Sequence, residues 1–511
     1  MLIKKIPFLL IPLLLLSLIL PAQHQRGVCG VSYEDQISQL DRYITNKKTA
    51  ATFPSKSRNS VTYIPVQFHI ITKNDGSGAT KLTDLLESFC HLNEIYGAFD
   101  VVFFQNDLPN YLASDVIYND HTITSAQFSM RTRRNREALN IWVVNDATPA
   151  NSPNIGQTLG YYDPVNDWII IRRNQISGNN NTLAHEVGHF FSLFHPHLGW
   201  DSEPYDDDIH GNPVNATSPG GSPTELMDRS NCETAGDMLC DTPPDYNFAL
   251  TWNECNFTAK IQDPNGDEVD PDESLIMSYF NDACTSKFSD MQLEMILADI
   301  SSPGRNFLTI NDYQPIATTI TETPELLAPA QDAVTSSYNK VYLKWAPVAG
   351  ADSYLVEVDR SSSFNIDNFK FLTTETTFLL EDLLDSDRTY RWRITPLNAS
   401  YFCSPPSVVI KFRTGISTST TTINAVNNWT VQPNPLLDAS VFTVNINAKE
   451  SFEANLKILN LNGQVVSEKP RQQFSQGLTT LPMNAAGLAK GVYIIALENT
   501  KGVMHKKLVI Q

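Results

Sequence analysis

The chain has 511 residues and a formal net charge of −19, from 56 acidic and 37 basic side chains. So acidic a balance argues against nucleic acid and against anionic membrane surfaces as partners. A hydrophobic content of 41% is enough for ordinary packed cores, and the length suggests about three domains of ~150 residues each.

Lys4 and Lys5 precede an apolar run from Ile6 to Leu20, followed by Pro21, Ala22 and Gln23. This is the pattern of a secretory signal peptide over residues 1–22, with cleavage expected after Ala22. The run is short and wrongly flanked for a membrane anchor, and no other stretch is apolar enough to span a bilayer. The mature chain is expected to be soluble, with no membrane span. Residues 23–58 are polar, end in Lys56-Ser57-Arg58 and read as a propeptide-like segment. From residue 59 the pattern is that of an α/β lobe. Ile64, Val66, Phe68 and Ile70 alternate along a strand from Tyr63 to Ile71. A helix follows from Leu82 to Tyr96, then strands over Val101–Phe104 and Leu139–Val144. Gly160–Arg172 reads as a hairpin turning near Asp163–Asp167. An asparagine run then caps a helix that carries the chemistry, and a loop-rich lobe continues to about residue 312.

That helix contains His185-Glu186-Val187-Gly188-His189, with His195 six residues further on. His185 and His189 are four apart, so on a helix they project from one face and can hold one metal ion. Glu186 can act on water beside the metal without being a ligand, as the general base of a hydrolase. His195 completes three ligands if the chain turns back, leaving the fourth position open, as in a catalytic zinc site. His197 would need a longer loop to reach the metal, so it reads as solvent-facing or as a neighbour of the ligands.

Seven cysteines fit export to an oxidising compartment. Cys232, Cys240, Cys255 and Cys284 cluster in the second half of the lobe and allow three disulfide pairings, among which sequence cannot choose. Their spacings contain no C-x-x-C pair, which disfavours a zinc site. Cys29, Cys90 and Cys403 are scattered. Residues 327–415 show short alternating strands, with Trp345, Tyr354, Val356, Val358, Tyr390, Trp392 and Ile394, and read as a β-sandwich. Thr- and Pro-containing residues 313–326 precede it as a linker, and Gly415–Thr422 follows it as a Ser/Thr linker. A second set of strands runs over residues 429–511.

The three-histidine motif resembles that of the metzincin zinc endopeptidases, whose methionine-containing turn is matched by Ser274-Leu275-Ile276-Met277-Ser278-Tyr279. Cys232, the Gly236–Pro244 segment and the Cys284…Phe288…Gln292 run are similar to the pappalysin family and its cytophagalysin-like members. The resemblance covers about residues 60–310. It implies protein or peptide substrates, a structural Met277 under the histidines, and Tyr279 as a stabiliser of the tetrahedral oxyanion. It also implies a calcium loop with Asp237 and Thr242 as side-chain ligands. Asp263, Asn265 and Asp267 form a second oxygen-rich loop. One departure is Ser192, where the clan has a loop glycine. A left-handed backbone there costs serine ~1 kcal/mol. The strand around Leu159–Tyr161 is a candidate for binding substrate by strand addition. Arg26-Gly27-Val28-Cys29-Gly30 is similar to the cysteine switches of related zymogens, whose thiolate occupies the open metal position; the other reading of Cys29 is a disulfide with Cys90. Cleavage near Lys56 or Arg58 would release the segment.

Residues 327–414 resemble a fibronectin type III domain. Residues 429–511 resemble the C-terminal sorting domain of the type IX secretion system, on Pro433-Asn434-Pro435, Asn460–Gln464, Gly491-Val492-Tyr493-Ile494 and the final Lys-Lys-Leu-Val-Ile-Gln. That likeness implies a Bacteroidetes-type bacterium, export across the outer membrane by the type IX machinery, a secreted or surface location and removal of the tail. The expected architecture is thus an α/β (α+β) metzincin domain followed by two all-β sandwich domains, with zinc, disulfides and possible use of calcium. No feature calls for a large obligate interface, so a monomer is expected. The competing reading is a cell-surface binding or adhesion protein with an inert peptidase lobe.

Overall fold

The computed structural model describes residues 28–52, 61–105, 109–150, 158–308, 319–367, 369–416, 423, 425–437, 441–460, 464–499 and 502–511. The signal-peptide reading, Arg26, Gly27, the Lys56 and Arg58 cleavage sites and most of the Ser/Thr linker lie outside the described residues.

The described chain begins with β1 (Val28–Cys29), α1 (Tyr33–Ser38) and α2 (Leu40–Ala50). Sequence had shown only a polar stretch here. Ser32 and Asp35 start α1 with a reciprocal capping box, each side chain accepting from the other's backbone N–H. α2 buries Tyr43, Asn46 and Ala50. Next come β2 (Thr62–Thr72), α3 (Leu82–Gly97), β3 (Val101–Gln105), β4 (Asn110–Ala113), α4 (Asp115–Asn119) and α5 (Thr124–Arg133). β5 (Leu139–Val144), β6 (Thr158–Asp163), β7 (Trp168–Arg172), α6 (Thr182–Phe190), a short α7 (Asp207–His210) and α8 (Asp290–Ile300) complete the α/β region.

The seven strands form one sheet in the order β1-β6-β7-β5-β2-β3, with β4 also pairing β2. Only the β6–β7 hairpin is antiparallel. The alternation of Ile64, Val66, Phe68 and Ile70 marked β2 as a strand. β2 is central, and both faces are covered, as parallel sheets require. Ile64, Val66, Phe68 and Ile70 join the core under α3 and α6. On the other face His69 stacks on Trp142, with ring centroids 3.9 Å apart, and Ile71 packs with Ile117 of α4 and Met130 of α5.

Residues 319–416 build a sandwich of a three-stranded and a five-stranded sheet around Val356, Tyr390 and Trp392. Ile320 is buried in that core, so the end of the stretch read as a linker belongs to the sandwich. From residue 423 on, a three-stranded and a four-stranded sheet enclose Trp429, Phe442, Leu456, Ile495 and Leu508. No helix among the described residues is long and apolar enough to cross a membrane.

The pairing of Cys90 with Cys403 bridges a sequence separation of 313 and ties α3 to the sandwich. Around it the Phe89 and Phe402 rings pack at a tilt, centroids 4.8 Å apart, Lys370 Nζ donates to Thr83 Oγ1 at 2.9 Å, and Leu86, Leu355 and Leu397 cluster. The reading of Cys29 as the partner of Cys90 is thereby overturned. Replacing Cys90 and Cys403 by serine should lower stability by about 2–4 kcal/mol, because the staple restricts the unfolded chain. Thermal unfolding checks this, and an unshifted midpoint would show that packing alone holds the interface.

Candidate metal centre

α6 delivers His185 and His189 from one face, as their spacing requires, and every residue of this helix is buried. The asparagine run does not cap it. Asn181 stands at the N-cap, but its amide turns away to Asp282 O, Thr285 O and Thr285 Oγ1. The Asp282 carboxylate accepts from Asn181 N at 2.9 Å instead. After Phe190 the chain reverses through Ser192, whose φ of 68° is left-handed. The serine takes the conformation a glycine would, and its hydroxyl accepts from Asn46 Nδ2 at 2.8 Å. The reversal brings His195 back, with its Nε2 3.2 Å from that of His185 and 2.9 Å from that of His189.

The outer ring nitrogens show which atoms carry protons. His185 Nδ1 donates to Ile276 O at 2.7 Å, His189 Nδ1 to Leu193 O at 2.8 Å and His195 Nδ1 to Asp201 Oδ1 at 2.6 Å. Burial lowers all three imidazole pKa values, that of His185 to about 4, so the rings are neutral. A neutral imidazole has one N–H. With each N–H spent outward, three Nε2 lone pairs face one another. Sequence reasoning missed Asp201. A carboxylate six residues after a histidine carries no signal until the fold closes the loop.

Glu186 is fully buried and lies against Gly160 of β6, where a Cβ would sit 3.3 Å from Glu186 Oε1. Its Oε1 has no hydrogen-bond partner, and burial pushes its pKa up to about 8. Met277 packs beneath α6, so close that a Cβ on Gly188 would clash with its Sδ. The Tyr279 ring lies 4.9 Å from that of His195, and its hydroxyl donates to Cys29 O at 3.5 Å. His197 is not solvent-facing. It is fully buried and stacks on His195 at 4.6 Å, with Asp245 Oδ2 3.8 Å from its Nδ1.

Cys29 joins the histidines. Its Sγ and one nitrogen each of His185, His189 and His195 all lie within 4.8 Å of one another, and the thiol donates to Glu186 Oε2 at 3.5 Å. β1 pairs in parallel with β6, Cys29 opposite Gly160, and Gly30 N donates to Gly160 O at 2.8 Å. The strand expected to receive substrate is thus occupied by residues 28–30. Further contacts hold this segment down. Gln36 Nε2 donates to Asp201 Oδ1 at 2.8 Å, and Gln36 Oε1 accepts from His195 N at 2.9 Å. Arg42 reaches Asp299 and donates to Phe190 O at 2.8 Å, satisfying a carbonyl at the end of α6. Tyr43 stacks on Phe194 at 4.1 Å.

In the loop-rich lobe the four clustered cysteines pair as Cys232–Cys240 and Cys255–Cys284. Asp237 Oδ1 accepts from Leu239 N and from Thr242 Oγ1, while Asp237 Oδ2 has no partner. The Asp263 carboxylate is spent on backbone, accepting from Asn265 N, Asp267 N and Met227 N.

Residues 430–511 match the family described as the secretion system C-terminal sorting domain. The chain accordingly belongs among secreted or cell-surface proteins that engage the type IX secretion machinery. Among solved structures, it is similar to mirolysin in complex with compound 9, at 19% identity over 49% of this chain and 97% of that one, with a TM-score of 0.33. It is also similar to the fn3 domain of human collagen alpha-1(XX), at 25% identity over 20% of this chain and 96% of that one, TM-score 0.15. A third likeness is to PorZ, a surface component of the type IX system of Porphyromonas gingivalis, at 19% identity over 23% and 15% of the two chains, TM-score 0.13. No curated protein matches the chain.

Proposed function

We propose that the chain is a zinc-dependent endopeptidase of the metzincin type, pappalysin-like, made as a latent zymogen and exported by its C-terminal domain. In this reading residues 59–312 are the peptidase, 327–415 a fibronectin type III module and 23–58 the pro-segment. The observation that carries it is the convergence of three unprotonated Nε2 atoms beside the buried, half-partnered carboxylate of Glu186. Three lone pairs at 3 Å repel unless a cation lies among them, and neutral imidazoles with orienting acceptors behind them suit zinc. His185, His189 and His195 would hold it. Zinc supplies Lewis-acid polarisation of the peptide carbonyl and makes water acidic near neutral pH.

The remaining roles fall to the chain. Glu186 takes the proton of the attacking water and returns it to the leaving amine. Its Oε1 has no other obligation, and its raised pKa suits a group that must both accept and release a proton. Tyr279 stabilises the oxyanion once Cys29 withdraws. β6 orients the substrate backbone after residues 28–30 leave. The rival reading, an adhesion protein with an inert lobe, gives no reason for Glu186 to be buried at the site with one oxygen unpartnered. Casein or gelatin cleavage by the activated protein decides the matter. Activity should vanish with a chelator and return with zinc; chelator-resistant cleavage would overturn the metal mechanism.

Two further results are expected. Asp201→Ala should weaken zinc affinity by about 10–100-fold, because the carboxylate orients His195; a competitive metal titration reads this without any activity assay. Calcium is kept as a proposal at Asp237 and Thr242. Burial pushes the Asp237 carboxyl up to about 7, so a cation there should be stabilising. Added calcium should raise the unfolding midpoint of the native chain and not that of Asp237→Asn; equal response in both would remove the site.

A further inference from the structure

One basic surface stands out on this acidic chain. Arg131, Arg133, Arg134 and Arg136 fall within six residues at the C-terminal end of α5, all exposed. The arginine ion pairs among the described residues belong to Arg42, Arg305, Arg360, Arg393 and Arg413 instead. A helix C-terminus welcomes a cation or two in its last turn, but that does not account for four arginines, none of which has a carboxylate partner among the described residues; Arg133 donates only to Ser129. Beside them Phe128 is 69% and Val165 87% exposed.

The patch is joined to the cleft. Arg131 Nε donates to Asn166 Oδ1 at 2.7 Å, and Arg134 donates to Asn166 O at 3.3 Å, which pins the tip of the β6–β7 hairpin to α5. Pro164 of that tip lines, with Tyr162 and His189, a cavity beside the histidines. β6 carries Gly160 against Glu186. Asp163, three residues on, lies about 10 Å along the strand. A peptide paired with β6 therefore reaches the arginines about three to five residues from the bond held at Glu186.

Resting on the protease reading, we propose that Arg131, Arg133, Arg134 and Arg136, with Phe128 and Val165, form an exosite for an acidic segment of the protein substrate. Unpaired cations on an otherwise acidic surface draw an anionic segment in and fix its register. The apolar pair and the continuity with β6 favour a peptide over an anionic polysaccharide, which has no use for either.

The test uses the activated full chain and fluorogenic peptides with one shared cleavable core. One probe is short. Two others carry four aspartates beginning four residues to the N-terminal or the C-terminal side of the cleaved bond. One extension, on the side facing the hairpin tip, should lower KM about tenfold and leave kcat within about twofold, with the gain lost at high salt. In R133E/R136E the ratio of kcat/KM for the extended and short peptides should fall to near one. If the short peptide is cleaved and neither extension helps, the exosite is wrong while the protease stands. A gain that persists in R133E/R136E also overturns it. So does heparin binding that depends on these arginines without any gain for acidic peptides, which would make the surface a polysaccharide site. If no probe is cleaved, the protease reading falls and the exosite with it.

Discussion

Glu186→Ala should lower proteolysis by about 10²–10⁴-fold, the usual contribution of a positioned general base. The fold should not suffer. Glu186 Oε1 has no hydrogen-bond partner, and the carboxyl's contacts are few: the Cys29 thiol, 3.5 Å from Oε2, and the Tyr162 backbone. A buried carboxyl whose pKa is pushed up to about 8 is held at a cost in desolvation. Its removal should therefore leave the unfolding midpoint unchanged or raise it. Zinc affinity should also survive, because the three histidines keep their orienting acceptors. Glu186→Gln, which preserves the shape, separates proton transfer from packing. Casein cleavage above a tenth of the native rate in either variant, with metal bound, would rule out Glu186 as the base.

Cys29→Ala is expected to release activity from the unprocessed chain. The thiol lies with the three imidazoles within 4.8 Å. Burial and the neighbouring Glu186 carboxylate push its pKa well up, so as a thiolate it needs a cation close by. A metal–thiolate bond worth about 3 kcal/mol would favour the closed state about a hundredfold. Activity of the unprocessed variant should rise by a factor on the order of 10–100. It should stay below that of the processed protein, because Gln36, Arg42 and Asn46 still hold residues 28–52 across β6 and the end of α6. A small fluorogenic peptide should register the change before casein does. If latency persists for both, the folded pro-segment keeps the site closed without the thiol.

Residues 28–50 take up a fold that their sequence did not reveal. The 23 residues from Val28 to Ala50 carry only short apolar periods, yet Tyr43 and Ala50 sit in the same core as α6. α4 and α5 were overlooked for a similar reason. α5 is largely polar, and its buried residues are only Ala126 and Met130. The strand alternation of β2 was legible, but not that helices would cover its second face.

The spacing of His185, Glu186, His189 and His195 and the Met277 turn were determined by the sequence itself, because residues on one helix face and a short return loop obey local chain geometry. So was the sorting domain, whose end motifs lie close together along the chain. Only the folded chain decided that Cys90 meets Cys403, that Gln36 and Asp201 back His195, and that Cys29 rather than substrate lies along β6. Those partners are separated by six to more than 300 residues. Contacts of that kind depend on loop closure and on the packing of a whole core, which no local pattern encodes.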